Sequence, residues 1–166
     1  MSLKGLVEET VVKLDPESTL IDAAKLMFEK HVGDVVIVSQ ENKGQGKPMG
    51  ILTDRDIAME LARKGEVGKE TKVREVMTAN VIVGTMNDGV YETIRKMKEN
   101  GIHRMPIVDT EEDQLVGLIS VDDLLQLLGH EIQQLSQVIN SERSREGLAE
   151  SPSSASEEAR PVQARA

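Results

Sequence analysis

The chain has 166 residues, no cysteine, three histidines, a formal charge of −9, and only one Tyr, one Phe and no Trp among its aromatics. Without thiols there is no disulfide framework, thiolate nucleophile or cysteine metal site, and an acidic chain with almost no stacking rings argues against a nucleic-acid partner. No run approaches the roughly 20 apolar residues of a membrane span and the N-terminus lacks a signal-peptide core, so a soluble, cytoplasmic protein with no membrane partner is expected.

Residues 10–14 read as a strand. Asp15-Pro16-Glu17-Ser18-Thr19 then marks a helix start, with a small side chain to cap free amides and Glu17 near their positive end. Leu20, Ala23, Ala24, Met27 and Phe28 follow at 3.6-type spacing and predict one apolar face. Val35–Val38 and Met49–Leu52 are short apolar runs joined by a longer, Gly-rich polar turn, which predicts a hairpin. A helix beginning near Asp54 carries Ile57, Leu61 and Ala62. The order strand, helix, strand, strand, helix then returns from Val81 to about Leu128. From Val121 through Leu124, Leu128, Ile132, Leu135 and Ile139 apolar residues recur every three or four positions, which predicts a helix leaving the second copy with a stripe to bury. Beyond about Glu142 the composition turns to Ser, Glu, Ala, Arg and Pro without periodicity, and residues 146–166 are expected to be disordered.

The two copies align in sequence. Leu20, Ala24, Met27, Ile37 and Val38 match Val90, Ile94, Met97, Ile107 and Val108 at a constant shift of 70. Gly50-Ile51-Leu52-Thr53-Asp54-Arg55-Asp56-Ile57 then matches Gly117-Leu118-Ile119-Ser120-Val121-Asp122-Asp123-Leu124 at a shift of 67, the difference falling in a turn, where length changes are tolerated. Without its flanking segments a single copy spans only about 55 residues, below the roughly 60 at which independent folding becomes marginal, so the copies are expected to pack together. The expected fold is an α/β (α+β) module of two strand-helix-strand-strand-helix repeats with pseudo-twofold symmetry, two small sheets facing each other and helices outside. Its parts are repeat 1 at residues 6–68, repeat 2 at 69–130, a helical extension at 131–145 and the tail.

The repeated order, the two Gly-hydrophobic-hydrophobic-Thr/Ser-x-x-Asp segments in register, and Val76-Met77-Thr78 opening the second copy resemble a tandem pair of CBS domains, also called a Bateman module. The resemblance covers roughly residues 6–130. It implies a regulatory sensor of adenosine-containing ligands, most often AMP, ADP or ATP and sometimes S-adenosylmethionine, with no catalysis and no required cofactor. It also implies a homodimer formed through exposed helices, and a downstream protein that reads the signal.

An Asp carboxylate can accept both vicinal ribose hydroxyls, each bond to a charged group being worth roughly 1.5–3 kcal/mol, which makes Asp56 and Asp123 ribose candidates. Thr53 and Ser120 present hydroxyls where phosphate oxygens could also meet helix N-terminal amides. The same residues can equally serve as helix caps without a ligand. In Gly101-Ile102-His103-Arg104, Arg supplies a planar fork of donors and His a donor whose charge depends on pH. The segment resembles the His-Arg step used for phosphate by the gamma subunit of AMP-activated protein kinase. By that likeness His103 and Arg104 face the nucleotide whose ribose Asp56 holds, with Arg55 nearby and Ile51, Val81 and Ile102 completing the favoured site.

The second site would hold Ser120, Asp123, Leu118, Val11, Val32 and Gly33. Gly33-Asp34 stands there where the other site has His103-Arg104, which puts a carboxylate near the phosphates of a ligand held by Asp123. That site is expected to take a less charged ligand, adenosine or S-adenosylmethionine, or none. His31, His103 and His130 show no metal-ligand spacing, and no Ser-His-Asp set can be assembled. Besides the nucleotide sensor, a ligand-independent dimerisation scaffold and an unrecognised enzyme remain as other classes. Nucleotide-dependent melting separates the first two, and product formation from a nucleotide identifies the third.

Overall fold

At Thr19, Thr53 and Ser120 an extended hydroxyl residue is followed three positions on by an Asp, and each of these pairs starts a helix. Thr19 Oγ1 accepts the Asp22 N–H at 3.1 Å while the Thr19 N–H donates back to Asp22 Oδ2 at 3.2 Å; Thr53 with Asp56 and Ser120 with Asp123 make the same exchange. The helices so opened are α1 (Leu20–Lys30), α2 (Asp54–Lys64) and α4 (Val121–Ala149), while α3 (Val90–Asn100) starts at Gly89 without a side-chain cap. In this computed structural model, which describes Leu3 and residues 5–39, 46–66 and 69–149, the strands are β1 (Lys13–Leu14), β2 (Asp34–Val38), β3 (Pro48–Thr53), β4 (Thr78–Ala79), β5 (Gly84–Thr85), β6 (Arg104–Val108) and β7 (Leu115–Ser120). Most of the turn expected between β2 and β3 lies outside the described residues.

Two sheets result, ordered β1-β2-β3-β4 and β5-β6-β7. The β2–β3 ladder sets Asp34 opposite Thr53 and Ile37 opposite Gly50, and the β6–β7 ladder sets Arg104 opposite Ser120 and Ile107 opposite Gly117. Both hairpins therefore carry the same register, as the repeat predicts. On α1 the buried face is Leu20, Ala23 and Met27; the expected Ala24 and Phe28 fall outside it, and Phe28 is 80% exposed. The expected first strand shrinks to Lys13–Leu14, paired in parallel with β2.

The short segment before each repeat packs on the other repeat. β4 pairs with β3, Ile51 facing Thr78, and in the matching place Glu8 bridges Leu118 of β7 through bonds of 2.9 and 3.0 Å. The cores follow the same exchange. Leu3, Leu6 and Val7 pack with Val90, Met97, Met105, Ile107 and Ile119, whereas Val73, Val76 and Met77 pack with Leu20, Met27, Val35, Ile37 and Leu52. Val76-Met77-Thr78, read from the sequence as the opening of the second copy, thus completes the sheet and core of the first. Residues 1–127 form one compact unit, and residues 128 onward a second, whose described part, through Ala149, is the rest of α4. The helical extension runs four residues beyond its expected end at 145, and residues 150–166 of the expected tail lie outside the described residues. No helix among the described residues is long and apolar enough to cross a membrane.

Candidate functional site

Strand β3 delivers Thr53 to its end with φ −111° and ψ 161°, and the chain turns there into α2. The hydroxyl and the N–H of Thr53 both donate to Asp56 Oδ2, each at 2.8 Å. Both accepted bonds end on Oδ2, which leaves Oδ1 of this half-buried carboxylate for another donor. Capping and ligand binding are thus compatible at Asp56.

Beside Thr53 lies a cavity of about 370 Å³ built from both repeats. β3 contributes Ile51 and Thr53, the crossing segment contributes Thr78, Asn80, Val81 and Ile82, and the turn from α3 into β6 contributes Asn100, Ile102, His103 and Arg104. Six of the eight residues expected at the favoured site, Ile51, Thr53, Val81, Ile102, His103 and Arg104, line this one cavity. Asp56 does not line it but is hydrogen-bonded to Thr53, which does. Arg55 does not line it and is exposed in the first turn of α2. Thr78, Asn80, Ile82 and Asn100 were not anticipated. Asn80 takes φ 56°, a left-handed conformation in which Asn is enriched; Asn100 donates to the Lys96 carbonyl at 2.8 Å and so finishes α3.

The charge in this cavity differs from expectation. Arg104 Nε donates to Asp34 Oδ1 at 2.7 Å, with the Asp34 side chain 9% exposed. Asp34 therefore partners the guanidinium of the favoured site, where the sequence had assigned it to the neighbourhood of Asp123. Equivalent positions of the two repeats, occupied by opposite charges, face each other. Burial pushes the Asp34 carboxyl above the usual value; Arg104 opposes that, while Glu8 and Asp54 push it further up.

The second set is not gathered in the same way. Ser120 and Asp123 cap α4 through bonds of 2.6 and 2.7 Å from the Ser120 hydroxyl and N–H to Asp123 Oδ2. Leu118 bridges Glu8, and Val11 is half-buried. Val32 and Gly33 instead line an open groove of about 550 Å³ with Phe28, His31, Asp54 and Ile57, and none of the other four residues reaches it. Among the described residues no group of three or more His, Asp or Glu could hold a metal ion.

A sequence profile of the CBS domain matches residues 3–63 and 73–130. The chain is 35% identical over 123 residues to the CBS domain-containing protein YhcV of Bacillus subtilis, covering 74% of this chain and 82% of YhcV. It is 31% identical over 127 residues to an uncharacterised protein of Methanopyrus kandleri, covering 76% of this chain but only 62% of the relative's length. Among solved structures, the CBS domain pair of protein MJ0100 in complex with 5′-methylthioadenosine and S-adenosyl-L-methionine superposes with a TM-score of 0.68 at 26% identity, over 79% of this chain and 98% of that one.

Proposed function

The chain belongs to the CBS-domain family as a tandem pair, and on that premise we propose that it senses an adenine nucleotide held between its repeats. CBS pairs are typically regulatory rather than catalytic. The observation that carries the reading is the meeting, in one cavity, of Thr53 from repeat 1 with His103 and Arg104 from repeat 2, beside an Asp56 carboxylate with Oδ1 to spare. A volume of about 370 Å³ falls within the range of small-molecule sites. In this reading Ile51, Val81, Ile82 and Ile102 enclose the adenine and Asp56 takes the ribose hydroxyls. Thr53, the first amides of α2, His103 and Arg104 take the phosphate. A ligand so held bridges the repeats, and occupancy is signalled through their packing, or that of a homodimer, to a downstream protein in the cytoplasm.

Thermal melting against AMP, ADP, ATP, adenosine, 5′-methylthioadenosine and S-adenosylmethionine tests this. A ligand at about 100 times its dissociation constant adds roughly 2.7 kcal/mol, which moves the transition by several degrees. No shift with any of them leaves the ligand-independent scaffold as the better account. Asp56→Asn keeps an acceptor for the Thr53 cap but removes the charge, so it should retain stability and weaken AMP and adenosine alike, by about tenfold. An unchanged affinity would return Asp56 to capping alone.

One observation favours a second ligand class. The guanidinium that should meet the phosphate already has a carboxylate partner, so a neutral or cationic adenosyl compound, of the kind bound by the MJ0100 pair, is the alternative. The order of the melting shifts across the panel separates the two.

A further inference from the structure

We infer that Asp34 competes with the ligand's phosphate for Arg104, and so sets how much phosphate charge the cavity accepts; this rests on the adenine-nucleotide reading of the same site. The geometry is specific. Asp34 Oδ1 sits 2.7 Å from Arg104 Nε, and Arg104 lines the cavity beside His103 and Thr53. Asp34 is cross-strand from Thr53, and Arg104 is cross-strand from Ser120, so the ion pair lies where the two repeats meet at their equivalent positions.

Asp34 is 9% exposed and Arg104 38%, so water screens this pair less than it would a surface pair. A charged partner roughly doubles the strength of a hydrogen bond, and an incoming phosphate must weaken that bond or share the guanidinium with it. The cost falls only on ligands that carry phosphate. Adenosine, held through its base and ribose, meets no such competition. The acidic groups facing Asp34, Glu8 and Asp54, add to the repulsion any displaced or second anion would feel. Across the pseudo-axis the matching residues carry opposite charge, so the device exists once per chain and acts on one cavity.

Isothermal titration of AMP and adenosine into the full chain and into Asp34→Asn tests the inference. The variant keeps an acceptor for Nε and loses the charge. AMP should bind about tenfold more tightly to it, with adenosine changed by less than about twofold. In an Arg104→Gln background the same substitution should give little tightening, because no guanidinium is left to release. A full-sized gain in that background shows Asp34 acting through its field alone and overturns the competition. An unchanged AMP-to-adenosine ratio overturns it as well, while leaving the nucleotide reading standing. If neither protein binds any adenine ligand, that reading fails and the competition falls with it; AMP binding that appears only in the variant is the strongest form of the expected result. Should Asp34→Asn fail to fold, Asp34→Ser carries the same test with a smaller neutral acceptor.

Discussion

Gly50 and Gly117 hold matching places on β3 and β7 for a steric reason. A Cβ at Gly50 would run into the Met77 side chain, and one at Gly117 into Val7. Each glycine lets the crossing segment lie against the sheet it completes. Gly117→Ala should therefore destabilise the protein by about 1–3 kcal/mol, measured as a lower urea midpoint at unchanged slope. Two carboxylates, Asp34 buried and Asp88 half-buried, make opposite predictions. Asp34 is pushed up, first by burial, so its ionised form costs stability at neutral pH; Asp34→Asn should melt higher than wild type at pH 7, with the advantage vanishing below about pH 4. Burial would raise Asp88 too, but the Lys96 ammonium at 2.7 Å and the Thr85 bonds outweigh it, and its carboxyl is held below the usual value. Asp88→Asn should melt lower at pH 7 and converge with wild type as pH falls through the carboxylate range. The Thr53-Asp56 cap was legible because a duplicated motif marks it, whereas His103-Arg104 stands in one copy only and was singled out by resemblance. The Arg104–Asp34 contact was not legible, since nothing in a linear alignment says that residues 70 positions apart meet across an axis.

Helix α4 runs 29 residues from Val121 to Ala149. Leu125, Leu128, Ile132, Leu135 and Ile139 follow one another at spacings of three, four, three and four, and are 59, 40, 65, 65 and 52% exposed. That is the spacing of a coiled-coil seam, with Leu125, Ile132 and Ile139 in one seam position and Leu128 and Leu135 in the other, a choice that suits two parallel strands. At about 1.5–3 kcal/mol per buried aliphatic side chain, pairing with a second copy offsets the cost of association. Light scattering should report a dimer for the full chain and a monomer for a truncation after Gly129; a dimer in both would assign association to the CBS helices. The helices were the most legible elements, because a period of 3.6 survives over three turns. The two-residue strands β1, β4 and β5 are too short for any period, and their placement comes from the sheets they join.

At the scale of the molecule, neither repeat contains its own whole core. Leu3 is fully buried in the core of the second repeat, and Val73, 70 positions later, is fully buried in the core of the first. Leu3→Ala should cost about 2–5 kcal/mol and, because the cores are interlocked, lower a single cooperative transition when far-UV circular dichroism and amide exchange of the second repeat are followed together. Two separate transitions would show that the repeats unfold independently. The pairing of repeats was readable from their internal alignment and from the small size of each half. The exchange was not, since Leu3, Leu6 and Val7 form a run too brief to assign to one repeat or the other.

That exchange has a consequence for symmetry. One repeat with its leading segment carries both a segment to give and a slot to fill, so two identical copies could assemble the same module as a symmetric pair. In such a pair the central position would meet itself, carboxylate against carboxylate or guanidinium against guanidinium. Joined in one chain, the two halves are free to differ at that position, and here they meet as Asp34 against Arg104, a contact that a symmetric pair of identical copies could not make.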